Sequence, residues 1–513
     1  MISICLARRG PGNLPYRARA TRLIPASTRA SRAGDGVSPI AYFLARTQAC
    51  FVEAQPAHTM IEKLVLFGAT GDLAGRFLFP ALAALHAADK LPEDFCVVGS
   101  ATSERSAEQF QRFAAERLDE HAANVSAASR DWLVQRLRYR AVDFNDRHSV
   151  ADVLGEGGTT PLAAYLALPT GVFPLAVTAL SKAGLPEASR IVLEKPFGEN
   201  LESALALNAL LARLTGDAME QEVFRVDHVL GMPTVQNLIG LRMANPILES
   251  IWNSAHIEQI EILWEETLAL EGRATYYDKA GALKDVMQNH MFQLLSLVTM
   301  EPPSSFDERE LRDRKVDALR SICALTEKDV VSRTRRGRYT AGSVGNREIP
   351  GYVDEKGVDP KRGTETFSEV ALEFDSPRWS GTRFVLRAGK AMAERRKEVR
   401  VRFRASAKRK GMPNELEIGI DGPEDLNLRL TGSSAGSPPT FVPLTFRAPT
   451  PPSDLPAYSR VLIDILHGGS TLSVRGDEAE ESWRVLTPVL NAWAEDRVPL
   501  QDYPAGSAGP QAS

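Results

Sequence analysis

The sequence predicts an α/β half, a doubly wound sheet flanked by helices, followed by a larger α+β half built on a mostly antiparallel sheet. Three observations predict it. Early apolar runs each stop at a turn and lead into helix-like segments. After about residue 227 the pattern changes to strict alternation of apolar and polar residues. The 513 residues also exceed what one hydrophobic core usually organises.

The first 59 residues differ from the rest. They carry arginines but no lysine, with Asp35 and Glu53 as their only acids, scattered among Pro and Gly. This segment reads as a disordered extension, with an Arg-rich transit peptide as the alternative. From Met60 the elements follow in order. Lys63-Leu-Val-Leu-Phe67 is a strand, Gly68 a turn, and Leu73 to Leu85 an apolar-periodic helix. Phe95-Cys-Val-Val98, Ala164-Tyr-Leu-Ala-Leu168 and Arg190-Ile-Val-Leu193 repeat the strand pattern. These place a dinucleotide-binding, Rossmann-like domain over 60–226. Ile257-Glu-Gln-Ile-Glu-Ile-Leu263 and Glu398-Val-Arg-Val-Arg-Phe403 alternate, which assigns 227–502 to a larger α+β domain on an antiparallel sheet, expected to bind the substrate and to offer the dimer surface. Residues 503–513, rich in Gly, Pro, Ala and Ser, read as a flexible tail.

Composition excludes several classes. A net charge of -4 with a pI near 6.2 offers no basic stripe for nucleic acid. No apolar run is long enough to cross a membrane. Four widely spaced cysteines without a CxxC pair fit neither a disulfide framework nor a thiolate metal site, and point to a reducing, cytoplasmic setting.

Gly68-Ala69-Thr70-Gly71-Asp72-Leu73-Ala-Gly75 lies where a strand meets a helix, the context in which backbone amides can meet a pyrophosphate. Its spacing is GxxGxxxG rather than GxGxxG, so by itself it is equally a tight turn. After the second strand, Thr102, Ser103, Glu104 and Arg105 offer both an acid and a base to the adenosine ribose. They leave NADP and NAD both open. Further on, Arg225-Val-Asp227-His228 and Lys284-Asp285-Val-Met-Gln-Asn289-His290 crowd ionisable groups among large apolar residues, and buried charge must be paired. If Asp285 and Asn289 share a helix, their spacing puts both on one face beside His290.

These segments, with Glu194-Lys195-Pro-Phe-Gly198, Val235-Gln-Asn-Leu238, Ile251-Trp-Asn253, Glu271-Gly-Arg273 and Gly389-Lys390 followed by Arg395, occur in the order that marks the glucose-6-phosphate dehydrogenase family. From Met60 to about Tyr503 the chain resembles that family. The resemblance implies oxidation of D-glucose 6-phosphate to 6-phospho-D-glucono-1,5-lactone with NADP, or NAD, the first step of the oxidative pentose phosphate pathway. The partner would be a small sugar phosphate, the assembly a homodimer or homotetramer, and no metal would be needed. His290 would be the base and Asp227 its orienting acid. Gly68, Ala69, Thr70, Gly71, Asp72, Leu73, Thr102 and Lys195 would hold cofactor, with Pro196 in a cis bond. Lys195, His228, Glu266, Asp285, Lys390 and Arg395 would hold substrate.

Four positions depart from the family pattern. Val229 and Met232 replace a tyrosine and a lysine that help to hold the phosphate, Phe77 stands where lysine is common, and Thr102 where an arginine often reads the 2′-phosphate. The alternatives are therefore a dehydrogenase of another aldose or aldose phosphate, or a catalytically degenerate paralogue.

Overall fold

Apolar runs without alternation, such as Lys63–Phe67, are buried along their whole length, as a sheet covered on both faces requires. In the computed structural model such runs and the alternating edge strand β3 form one parallel sheet of six strands: β1 (Lys63–Phe67), β2 (Cys96–Ala101), β3 (Leu137–Ala141), β4 (Ala163–Leu166), β5 (Arg190–Glu194) and β6 (Val223–Val226). Their spatial order is β3-β2-β1-β4-β5-β6, the arrangement in which ligands bind beyond the carboxyl ends of the strands where the order reverses. The structure describes residues 60–511 except 273, 406–412, 422–424, 439 and 451–452. The expected extension over 1–59, Arg273 and the last two residues lie outside it.

The second sheet is mixed and mostly antiparallel. It comprises β7 (Ile257–Glu265), β8 (Thr334–Thr340), β11 (Phe367–Leu372), β12 (Arg383–Gly389), β13 (Arg396–Phe403), β14 (Glu415–Gly419), β15 (Asp425–Ser434), β16 (Thr440–Pro449) and β17 (Leu500–Pro504). A hairpin of β9 (Gly342–Val344) and β10 (Arg347–Ile349) stands apart from it. The β7–β12 and β8–β17 pairs are parallel. One face of the sheet is covered by the helical stretch 283–299, buried almost throughout, and by the long helix Gly476–Ala494.

Two expectations are corrected. The helix Ala457–His467, assigned from sequence to the second half, packs on the first sheet's layer. Ser459 Oγ donates to Ala81 O at 3.0 Å, and Ile61 N–H to Leu466 O at 2.8 Å. The expected flexible tail is instead woven into the structure. Tyr503 is 1% exposed in β17, Gly506 N–H donates to Ala391 O, and Ala393 N–H donates to Ser507 O. Small residues read as disorder here serve close approach: Gly506 has φ +81°, and a Cβ on it would lie 1.9 Å from Ser343 O.

Gly68 has the same necessity at the end of β1. Its φ is +82°, and a Cβ would lie 2.1 Å from Ala167 O just past β4. Gly68→Ala is expected to cost about 2 kcal/mol or more and to weaken nucleotide binding. A urea midpoint and a cofactor titration both equal to wild type would contradict this.

Candidate active site

β6 ends at Val226, and the next residue, Asp227, caps a short 3₁₀ turn, its Oδ1 accepting the Val229 N–H at 3.1 Å. The same oxygen lies 2.5 Å from His290 Nδ1. Asp227 is fully buried and His290 4% exposed. Burial opposes ionisation of Asp227, but the charge and hydrogen bond of His290, with His228 and Lys195 nearby, hold it down at about 2. With Nδ1 committed to the carboxylate, Nε2 is the ring's remaining nitrogen for chemistry.

His290 sits in a π-helical segment, Leu283–Met291. The expected α-helical register of Asp285 and Asn289 is therefore replaced by a wider turn, in which residues five apart are hydrogen-bonded neighbours. This brings Asp285 and His290 to one side. Asn289 turns its Nδ2 back to Lys284 O at 2.9 Å.

Lys195 follows β5, and its bond to Pro196 is cis. Its Nζ donates to Asp285 O at 2.7 Å and to Asp285 Oδ1 at 3.2 Å. Burial works against the ammonium, yet Asp285, Tyr276 and Asp227 together raise its pKa above the ordinary lysine value. Asp285 is likewise disfavoured by burial and is held at about 2 by Lys195 and Lys390.

The second sheet supplies the other pair through register. β7 and β12 run parallel with Glu265 opposite Gly389, so the next residues, Glu266 and Lys390, emerge side by side. Lys390 Nζ lies 2.7 Å from Glu266 Oε2. Tyr503 donates from its hydroxyl to Lys390 O at 2.8 Å, so the tail props this lysine. Burial resists the Glu266 charge, but Lys390 and Lys397 outweigh it and hold the group at about 2.

Lys397 escaped the sequence reading. Its Nζ is 3.1 Å from Glu266 Oε1 and 3.0 Å from Asp421 Oδ2, and sits 4.6 Å from the centre of the Trp264 ring. The signal was present: Lys397 is in phase with Val399, Val401 and Phe403, on the strand's apolar side. Trp264, Asp421 and Tyr458 were also missed. They are gathered by strand pairing and by the returning helix.

Of the expected residues, Asp227, His290, Lys195, Asp285, Glu266 and Lys390 converge, and His228 joins them with its ring centre 4.8 Å from that of His290. Burial pushes His228 down to about 3, with His290 adding to the effect. Arg395 stands at the rim, half exposed and 2.8 Å from Asp421. The glycine turn lies at the carboxyl end of β1. Gly68 and Ala69 N–H both donate to Ser100 O, and a helix begins immediately after Gly71. Thr102 is exposed just beyond β2, and Arg105 lies over the Phe113 ring at 5.4 Å.

A nucleotide-binding sheet whose strand ends face a His–Asp pair and two lysine–carboxylate pairs defines a nicotinamide-dependent dehydrogenase of polyhydroxylated substrates. Comparison with known proteins makes this specific. The family model "Glucose-6-phosphate dehydrogenase, NAD binding domain" matches residues 65–237, and "Glucose-6-phosphate dehydrogenase, C-terminal domain" matches 239–513. The chain is 36% identical to a glucose-6-phosphate 1-dehydrogenase of Treponema pallidum, covering 88% of this chain and 92% of that one. It is also 36% identical to one of Rhizobium meliloti, covering 88% and 94%. A solved glucose-6-phosphate dehydrogenase in complex with glucose 6-phosphate superposes with a TM-score of 0.80 at 30% identity, covering 90% of this chain and 97% of that one. The enzyme from Mycobacterium avium gives 0.77 at 33%, covering 88% and 95%. The chain belongs to the glucose-6-phosphate dehydrogenase family.

The three depressed carboxyls have a consequence for stability. Asp227, Asp285 and Glu266 bind protons less readily folded than unfolded, so their contribution is complete above about pH 5 and lost as pH falls towards 2. Urea midpoints are expected to drop steeply over that interval. Asp285→Asn should flatten the drop, and an unchanged slope would count against these assignments.

Proposed function

We propose that the protein oxidises D-glucose 6-phosphate at C1 to 6-phospho-D-glucono-1,5-lactone with NADP, or NAD, as acceptor. This is the first step of the oxidative pentose phosphate pathway. The observation that carries this reading is the buried 2.5 Å Asp227–His290 contact between the ends of the two lysine–carboxylate pairs.

In this reading residues 60–226 hold the cofactor and 227–502, with the returning helix, hold the sugar. The glycine turn fits a dinucleotide: Gly68 lets the chain turn at positive φ tight against Ala167 O at the end of β1, and a helix N-terminus follows it. Residues 68–73, Thr102 and Lys195 would contact the nucleotide, which when bound supplies the hydride acceptor. His290, with Nδ1–H held by Asp227, presents the Nε2 lone pair to the anomeric hydroxyl and takes its proton as C1 gives up hydride. Asp227 stays ionised, orients the ring and stabilises the imidazolium. Lys195, Asp285, Glu266 and Lys390 accept and donate hydrogen bonds to the ring hydroxyls. This fixes C1 against the base and the acceptor. His228, neutral at physiological pH, can contact the phosphate only as a hydrogen-bond partner, and Arg395 approaches from the rim. The intact Asp227–His290 pair speaks against a degenerate paralogue.

We place the enzyme in the cytoplasm as a homodimer or homotetramer. Among the described residues no helix is long and apolar enough to cross a membrane. Phe441, Leu444 and Phe446, exposed along β16, support association through the second sheet.

His290→Asn and Asp227→Asn are expected to lower kcat by roughly 10²–10⁴-fold with substrate KM little changed, read from NADPH formation. Full turnover in His290→Asn would overturn the assigned base. Light scattering at micromolar protein should give a multiple of the chain mass, and a monomer would refute the assembly.

A further inference from the structure

Aromatic rings form a row through the site. Trp264 lies 5.2 Å from His290, His228 4.8 Å from it, Tyr458 stacks 5.0 Å beyond His228, and Phe77 stands 5.4 Å beyond Tyr458. The outer part of this row walls a cavity of about 770 Å³, together with Met232. In a pyranose, C5 and its substituent C6 lie across the ring oxygen from C1, whereas the C2–C4 hydroxyls point away. With C1 at His290 and those hydroxyls on the lysine–carboxylate pairs, C6 emerges past His228 into this cavity.

The cavity is poorly furnished for a dianion. Arg76 on its wall lies 3.5 Å from Asp72 and over the Phe77 ring. Arg395 and Lys397, which adjoin it, both end on Asp421 at 2.8 and 3.0 Å. Two carboxylates, Asp421 and Asp454, face the cavity themselves, and its histidines are His121, 3.6 Å from Glu120, and the neutral His228. A phosphate entering here gives up hydration and must compete with a carboxylate for each of these cations. A hydroxymethyl group faces no such cost against Tyr458, Phe77 and Met232.

We propose that Phe77 and Met232 are specificity-determining residues that relax the demand for the 6-phosphate, so that free aldohexose is oxidised alongside the phosphorylated sugar. The proposal rests on the dehydrogenase reading above. Its test is kcat/KM for glucose 6-phosphate and for free glucose with NADP, in the wild type and in Met232→Lys and Phe77→Lys. The expected wild-type ratio is below about 100, and either lysine should raise it about ten-fold or more through a lower KM for the phosphorylated sugar. Melting curves and cofactor titration verify that the variants fold, and if they do not, the wild-type ratio decides alone. A wild-type ratio above about 100, or folded variants that leave the ratio unmoved, overturns the proposal while the dehydrogenase reading stands. Oxidation of neither sugar overturns both.

Discussion

The structure turns on one buried contact, the 2.5 Å hydrogen bond between Asp227 and His290. Asp227 belongs to the carboxyl end of the parallel sheet and His290 to the helix that covers the mixed sheet, so this bond ties the two layers at the proposed catalytic site. A carboxylate with no exposure is tolerable only with such a partner. Both layers therefore have to meet here, and the geometry of the proposed base follows from the way the core closes.

The other charges obey the same constraint. Asp285 is answered by Lys195, and Glu266 by Lys390 and Lys397. In each case burial alone would favour the neutral acid, and the neighbouring ammonium reverses this. The result is a set of ionised, fixed donors and acceptors, which suits hydroxyls because a hydroxyl can both give and receive a hydrogen bond. Preorganisation of this kind costs no reorganisation when the proton and hydride move.

Much of this was legible in the sequence because the chemistry sits at element ends. Continuous apolar runs announced β1, β4 and β5, and alternation announced β7 and β13. The residues just past them, Gly68, Lys195 and Glu266, inherit fixed positions from the strands. What was hidden depended on register and on chain return. Lys397 meets Glu266 only because β13 pairs with β7 so that Lys397 faces Trp264. Tyr458 reaches His228 only because a late helix crosses back to the first layer, and the tail's small residues looked disordered until the close approach of Gly506 to β9 gave them a purpose. The π-helical turn at 283–291 was invisible for another reason: apolar spacing there fits an α-helix almost as well, and tertiary packing decides.

Three of the four departures from the family pattern, Phe77, Thr102 and Met232, fall where the fold tolerates charge, whereas Val229 is fully buried. Asp227 and His290 are sealed, and exchanging either leaves a buried group without its partner. Phe77, by contrast, is 41% exposed and Met232 only half buried on the cavity wall. A lysine or a methionine can occupy such a wall without reorganising the core, because a long side chain lays its stem on apolar surface and keeps its end in water. In the proposed function proton transfer is thus bound to the packing of two sheets, whereas recognition of the substrate's far end involves, at Phe77 and Met232, side chains on an open cavity wall. The second can change while the first persists, and in this chain it has changed towards an apolar wall.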